Sequence, residues 1–112
     1  MKLSILRRSL PLVLGATLVA GMSHVSMAQT VKIGSLSAVT GPIANLVPPI
    51  IEAEQLAVKQ VNDAGGILGG RKLELVVGDT QCNAQASVDA AGKLVNVEQV
   101  VAIVGALCSG AT

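Results

Sequence analysis

The chain has 112 residues, with eight Lys/Arg, seven Asp/Glu, a single His and no Trp, Tyr or Phe. A nearly neutral chain without aromatic side chains offers neither the basic surface nor the stacking platforms that nucleic-acid binding requires. Two Cys and one His also fall short of the ligand set of a zinc site. We therefore expect neither a metal ion nor nucleic acid as a partner.

The N-terminal segment has the three parts of a secretory signal peptide. Residues 1–8 are positively charged, and residues 10–22 form an apolar core that is too short to span a bilayer as a helix. Ser26-Met27-Ala28 gives the small-x-small pattern that signal peptidase recognises, so we predict cleavage after Ala28. The Arg7-Arg8 pair is a poor match to a twin-arginine signal, which favours general secretion. A membrane anchor and a cytoplasmic protein with an apolar start are the alternatives.

Cleavage would leave residues 29–112, which carry five Lys/Arg and seven Asp/Glu and hence a net charge of −2. No Cys stands directly after the apolar core, where a lipid could be attached to a new N-terminus, so we expect this piece to be soluble. It has no His, because His24 lies in the signal segment. The piece is small for an α/β domain. We expect it to be the N-terminal part of a longer protein that supplies the missing strands and helices.

Hydrophobic periodicity predicts three strands and two helices in this piece. In chain order they are a strand at residues 30–36, a helix at 48–64, a strand at 72–77, a helix at 83–96 and a strand at 100–104. Pro48 and Pro49 are tolerated only in the first turn of a helix. Gly65-Gly66 suits the left-handed conformation that ends a helix, and Asn83 is a good N-cap.

Each helix is expected to bury one apolar stripe against the sheet. In the first helix the predicted stripe consists of Ile50, Ala53, Ala57, Val61 and Ala64. In the second helix it consists of Ala84, Val88, Ala91 and Val95.

The order β-α-β-α-β, with right-handed crossovers, predicts a parallel sheet with a helix on each face. The expected fold class is therefore α/β, a doubly wound parallel sheet with strand order 2-1-3. In that order a crevice opens at the carboxyl ends of the first and third strands. The loops there are residues 37–42 and 106–112, and we expect any ligand to touch both.

Cys82 and Cys108 remain after cleavage, and an oxidising compartment usually closes such a pair. On the chain-entropy view a disulfide of this span would stabilise the fold by about 3 to 4 kcal/mol. The two cysteines can meet only if the loops after the second and third strands fold toward each other over the edge of the sheet. Two buried free thiols are the alternative.

No catalytic constellation is recognisable in the sequence. Residues 34–41 have neither the spacing of a dinucleotide-binding loop nor the Lys-Ser/Thr of a phosphate-binding loop. Ser109 lacks the glycine two positions earlier that a hydrolase elbow needs, and the piece has no His to serve as its base. Asp79, at a strand end, could be a metal ligand or general base, but a turn or cap role is commoner. We therefore expect a protein that is not an enzyme and has no cofactor.

Ser109 follows the third strand, where a helix is expected to begin. Its hydroxyl and the backbone N–H groups of residues 109–112 are placed to receive a carboxylate. A serine at such a position is also a common N-cap, and the two roles are compatible.

Several segments together resemble the Leu/Ile/Val-binding proteins of bacterial ABC importers, which are type I periplasmic binding proteins. The segments are Thr40-Gly41-Pro42, residues 60–70, residues 73–77 with Asp79, the Cys82 position and residues 105–109. Each motif is weak alone, but their order and spacing are specific and extend over essentially all of residues 29–112.

The resemblance implies the N-terminal part of lobe one of a two-lobed protein that closes on a free amino acid in the periplasm. Such a protein presents its ligand to an ABC permease in the inner membrane and is expected to be a monomer at full length. The resemblance also implies a disulfide between Cys82 and Cys108. It makes Ser109 the lobe-one group that binds the ligand α-carboxylate, with Leu107 and Cys108 lining the side-chain pocket.

Leu46 departs from the family pattern, because Leu/Ile/Val binders carry an aromatic residue there against the ligand side chain. The expected ligand is therefore a branched-chain or related amino acid, or a similar small carboxylate. A ligand-sensing periplasmic domain of a signalling receptor is the alternative function, and an enzyme of the doubly wound type ranks third.

Overall fold

Three strands and two helices form the part of the chain described by the computed structural model, residues 29–112. They are β1 (Val31–Ser37), α1 (Pro48–Asp63), β2 (Leu73–Asp79), α2 (Ala84–Asn96) and β3 (Ala102–Val104), with short 3-10 helices at Ala44–Leu46 and Ser109–Ala111. The predicted signal peptide and its cleavage position lie outside the described residues. Within residues 29–112, neither helix has the length and hydropathy needed to cross a bilayer.

The strands form a parallel sheet in the order β2-β1-β3. The central strand β1 pairs with β2 along its whole length, from Val31 opposite Leu73 to Ser37 opposite Asp79. On its other side β1 pairs with β3 over a shorter stretch that ends with Ser35 opposite Val104. The predicted α/β class and the strand order 2-1-3 are confirmed.

Most strand boundaries lie within one residue of the prediction, and two differ from it by two residues. β3 begins at Ala102 rather than at Val100, because Gln99 has a φ of 57° and the chain meets β1 only where the Val101 N–H donates to the Lys32 carbonyl at 2.9 Å. β2 continues through Gly78 to Asp79 instead of ending at residue 77, since both residues stay in register with β1.

The helix ends lie close to where the sequence predicted them. The Asn83 side chain accepts hydrogen bonds from the N–H groups of Gln85 and Ala86, at 2.9 and 3.1 Å, which caps α2 as expected. After α1, Gly66 has a φ of 82° and its N–H donates to the Val61 carbonyl at 2.9 Å. That bond closes the predicted left-handed helix end.

α2 packs on the sheet through Leu94, which is only 2% exposed. The side chain lies over two glycines of adjacent strands. A Cβ added at Gly34 would lie 2.9 Å from Leu94 Cδ1, and one added at Gly78 would lie 3.1 Å from it. Larger residues at either glycine would push α2 away from the sheet.

The predicted buried stripe of α2 is partly wrong. Ala84, Val88, Ala91 and Val95 were expected to face the sheet. Ala91 is half-buried, but Ala84 is exposed, and Val88 and Val95 are 66% and 52% exposed. Ser87 and Leu94 are the buried residues instead. The space above the strand glycines accepts the large Leu94 side chain, and this contact fixes the rotation of the helix about its axis.

The predicted stripe of α1 is also partly wrong. Ile50 and Val61 face inward as expected, but Ala53, Ala57 and Ala64 are exposed. Their places are taken by half-buried residues further round the helix, namely Ile51, Glu54 and Val58. The buried Ser35 hydroxyl donates to a Glu54 carboxylate oxygen at 3.0 Å, and this polar contact turns α1 toward the sheet.

We predict that Leu94→Ala lowers the free energy of unfolding by about 2 to 5 kcal/mol, because truncation leaves a cavity over the glycines. Urea denaturation of the mature protein measures the change. Leu56→Ala is the matched control, since Leu56 is 55% exposed and its truncation should cost less than about 1 kcal/mol. Equal losses in the two variants would contradict this account of the packing.

Candidate ligand-binding site at the carboxyl edge of the sheet

Three loops meet at the carboxyl edge of the sheet, where the parallel strands all end. Backbone atoms of neighbouring segments lie so close together there that only glycine fits at two positions, Gly41 and Gly105. A Cβ at Gly41 would lie 2.7 Å from the Gln81 carbonyl oxygen, and Gly41 has a φ of 98°. A Cβ at Gly105 would collide with the Leu36 carbonyl. The loops after β1, β2 and β3 therefore form one continuous rim.

Asp79 joins the first two loops through its carboxylate. The Thr40 hydroxyl donates to Asp79 Oδ2 at 2.6 Å. Asp79 Oδ1 accepts the N–H groups of Thr40 and Gln81, at 3.1 and 3.0 Å. Burial alone would raise the pKa of this carboxyl, but these hydrogen bonds outweigh it and hold the pKa below its ordinary value of 3.8. Asp79 thus has the turn role that its strand-end position favoured.

A disulfide joins Cys82 and Cys108, the pairing that the sequence predicted, with the Cα atoms 5.4 Å apart. Because β2 and β3 lie on opposite sides of β1, this bond spans the carboxyl end of the central strand. Gln81 and Cys82 both have left-handed backbone conformations, with φ of 51° and 56°, which turn the loop inward toward its partner.

Ser109 is exposed at the start of the 3-10 helix Ser109–Ala111. The N-cap of this helix is Cys108, so Ser109 does not occupy the capping position that the sequence left open for it. Within residues 29–112, the Ser109 hydroxyl and the N–H groups of Ser109 and Gly110 have no hydrogen-bond partner. These three donors are therefore available to a ligand at the rim.

The other predicted ligand-binding residues lie on two loops of the same edge. Leu46 ends the 3-10 helix before α1 and is 58% exposed, and Leu107 lies in the loop after β3 and is 42% exposed. Val39, beside Thr40, is also 42% exposed. Sequence reasoning missed the Thr40–Asp79 pairing, whose only signal was a loop threonine followed by an aspartate at a neighbouring strand end.

Among residues 29–112, no group of three or more His, Cys, Asp or Glu side chains comes together in a way that could hold a metal ion. The carboxyl edge instead exposes the apolar side chains of Leu46 and Leu107, together with the Ser109 hydroxyl and two free backbone N–H groups. The Cys82–Cys108 disulfide joins two of its loops. In open α/β sheets, ligands commonly bind at this edge.

Comparison with known families shows the class of protein. A family model described as "Periplasmic binding protein" matches residues 30–112, so the chain belongs to the periplasmic binding protein family. Its relatives include Leu/Ile/Val-binding proteins, and its structural neighbours include substrate-binding proteins of branched-chain amino acid ABC transporters.

Three relatives illustrate the similarity. The leucine-, isoleucine-, valine-, threonine- and alanine-binding protein of Pseudomonas aeruginosa is 38% identical over 98 residues, covering 87% of this chain and 26% of that protein. The substrate binding protein LivJ of Streptococcus pneumoniae, solved in complex with isoleucine, is 34% identical with a TM-score of 0.67, covering 74% and 24%. A fatty acid ABC transporter substrate-binding protein from Thermomonospora curvata is 37% identical with a TM-score of 0.60, covering 67% and 18%. The chain thus spans about a quarter of the length of the curated relatives it matches.

We predict that Cys108→Ser lowers the free energy of unfolding by about 3 to 4 kcal/mol, because the unfolded chain regains the freedom that a cross-link over a separation of 26 residues removes. Thermal unfolding with and without a reducing agent measures the effect. Reduced wild-type protein and the variant should unfold at similar temperatures. Two titratable thiols in the denatured, unreduced protein would contradict the disulfide.

Proposed function

We propose that residues 29–112 begin the first lobe of an extracytoplasmic solute-binding protein of an ABC importer, which binds a branched-chain or related amino acid for transport. The relatives named above support this class of function. Within the chain itself, the observation that carries the proposal is the set of free donors at Ser109 and Gly110 on the carboxyl edge.

The chemistry of those donors suits an α-carboxylate. A carboxylate oxygen accepts hydrogen bonds from a hydroxyl and from backbone N–H groups, and such charge-assisted bonds are short and strong. Each contributes about 1.5 to 3 kcal/mol in protein. On this proposal the Ser109 hydroxyl and the two N–H groups hold the carboxylate, and Leu107 and Cys108 line the apolar space beside it.

Leu46 would form the other apolar wall. By the resemblance described above, it stands where Leu/Ile/Val binders carry an aromatic residue. An aliphatic side chain with two rotatable bonds adapts to more shapes than a flat ring. The Thermomonospora neighbour is a fatty acid ABC transporter substrate-binding protein, which supports a ligand range wider than branched-chain amino acids in this fold. We therefore keep related amino acids and similar small carboxylates in the proposed range.

The rest of the binding site would come from a second lobe that closes on the first by hinge motion. The exposed apolar residues along β3 and α2 support a larger lobe, because Val88, Val95 and Val104 are 66%, 52% and 58% exposed. On this proposal the mature protein begins at Gln29 in the periplasm, acts as a monomer and docks on an inner-membrane permease. A following membrane span or kinase in the same gene would instead favour the sensing alternative.

We predict that Ser109→Ala weakens ligand binding about tenfold or more, because one charge-assisted hydrogen bond is lost. Calorimetric titration of the full-length mature protein with leucine, isoleucine, valine, threonine, alanine and small carboxylates without an amine measures the affinity. Thr30→Ala is the control, since it removes an exposed hydroxyl at the opposite edge of the sheet and should leave the affinity unchanged. The proposal fails if nothing in the panel binds, and the site assignment fails if Ser109→Ala binds as tightly as wild type.

A further inference from the structure

The loop between β1 and α1, residues 38–47, is held at its two ends and exposed between them. Ala38 and Val47 are 0% and 1% exposed, whereas residues 39–46 are half-buried or exposed. Backbone hydrogen bonds inside the loop connect residues three positions apart, for example the Leu46 N–H and the Ile43 carbonyl at 2.9 Å. We call this segment the rim loop.

Within residues 29–112, the side-chain hydrogen bonds of the rim loop to other elements all go to Asp79. One carboxylate oxygen accepts the N–H groups of Thr40 and Gln81, and the other accepts the Thr40 hydroxyl. A single carboxylate therefore joins the rim loop to the loop that carries Cys82. We propose that Asp79 is a positioning residue that fixes the rim loop against the disulfide-tied loops and so sets the shape of the ligand-facing edge.

A series of contacts through Asp79 and the disulfide links Leu46 to Ser109, the two ends of the predicted ligand site. Leu46 lies in the rim loop, and Asp79 ties that loop to Gln81. Cys82, the next residue, is bonded to Cys108, which precedes Ser109. The distance between the apolar wall and the carboxylate donors therefore depends on Asp79 as well as on the disulfide. This consequence for binding depends on the proposed function, whereas the positioning of the loop does not.

The hydrogen bonds between Thr40 and the Asp79 carboxylate depend on pH in a defined way. Because the folded-state pKa of Asp79 lies below its ordinary value of 3.8, the contact is fully present above that ordinary value and is lost as the pH falls through the lowered one. Asp89, Lys93 and Glu98 line the cavity that Asp79 borders, and Glu52 lines a cavity with Val39 of the rim loop. All four remain in Asp79→Asn, so comparison with this variant isolates the titration of Asp79.

Hydrogen exchange of the full-length mature protein, read by mass spectrometry on peptides covering the rim loop, tests the proposal. Asp79→Ala should raise exchange in the rim loop about tenfold or more. Asp79→Asn should restore protection, because its amide oxygen accepts the two N–H groups and its NH2 donates to the Thr40 oxygen. On acidification, protection corrected for the intrinsic rate should fall in wild type but not in Asp79→Asn. Asp63→Asn, which alters an exposed carboxylate paired with Lys59 on α1, should change nothing in the rim loop.

Unchanged rim-loop exchange in Asp79→Ala would overturn the proposal, as would a failure of Asp79→Asn to restore protection. If Asp79→Ala unfolds globally, Thr40→Val removes only the hydroxyl, and its exchange should rise in the rim loop alone; no rise would overturn the proposal. Affinity for leucine provides a separate readout, expected to fall in Asp79→Ala and recover in Asp79→Asn. If wild type does not bind leucine, the proposed ligand fails for that acid, and the exchange data still decide the role of Asp79.

Discussion

Parallel pairing of β1 with a strand on each side determines what this part of the chain can do. Because β2 and β3 both run in the direction of β1, all three strands end at the same edge, with Ser37 opposite Asp79 and Ser35 opposite Val104. Loops separated by tens of residues in sequence are thereby brought into contact. The free donors of Ser109, the apolar Leu46 and the disulfide all lie on this edge as a consequence of that pairing.

Three kinds of contact then hold the edge in one shape. Glycines allow backbone to approach backbone, as at Gly41 and Gly105. The disulfide crosses the end of β1, and the Asp79 carboxylate fastens the remaining loop. Fixing a binding wall before the ligand arrives reduces the ordering cost of association. On the proposed function, hinge closure would then bring a second lobe against a wall that needs little rearrangement.

Local signals in the sequence predicted the topology well. Asn83 as N-cap and Gly65-Gly66 as helix end act through neighbouring backbone groups, so their roles can be read from a few residues. The faces of the helices could not be read in this way. The rotation of α2 depends on Leu94 meeting Gly34, a contact between residues far apart in the chain. Periodicity alone does not contain that information. The Thr40–Asp79 pairing was missed for the same reason, since it joins residues 39 positions apart.

On the proposed function, the start of the 3-10 helix Ser109–Ala111 receives a ligand carboxylate. Amide chemical shifts in the full-length mature protein, followed by NMR while the tightest-binding acid of the panel is added, test it most directly. We expect large, saturable shifts at Ser109 and Gly110 and little change at Thr30. Saturable binding that leaves the Ser109 and Gly110 amides unshifted would contradict it.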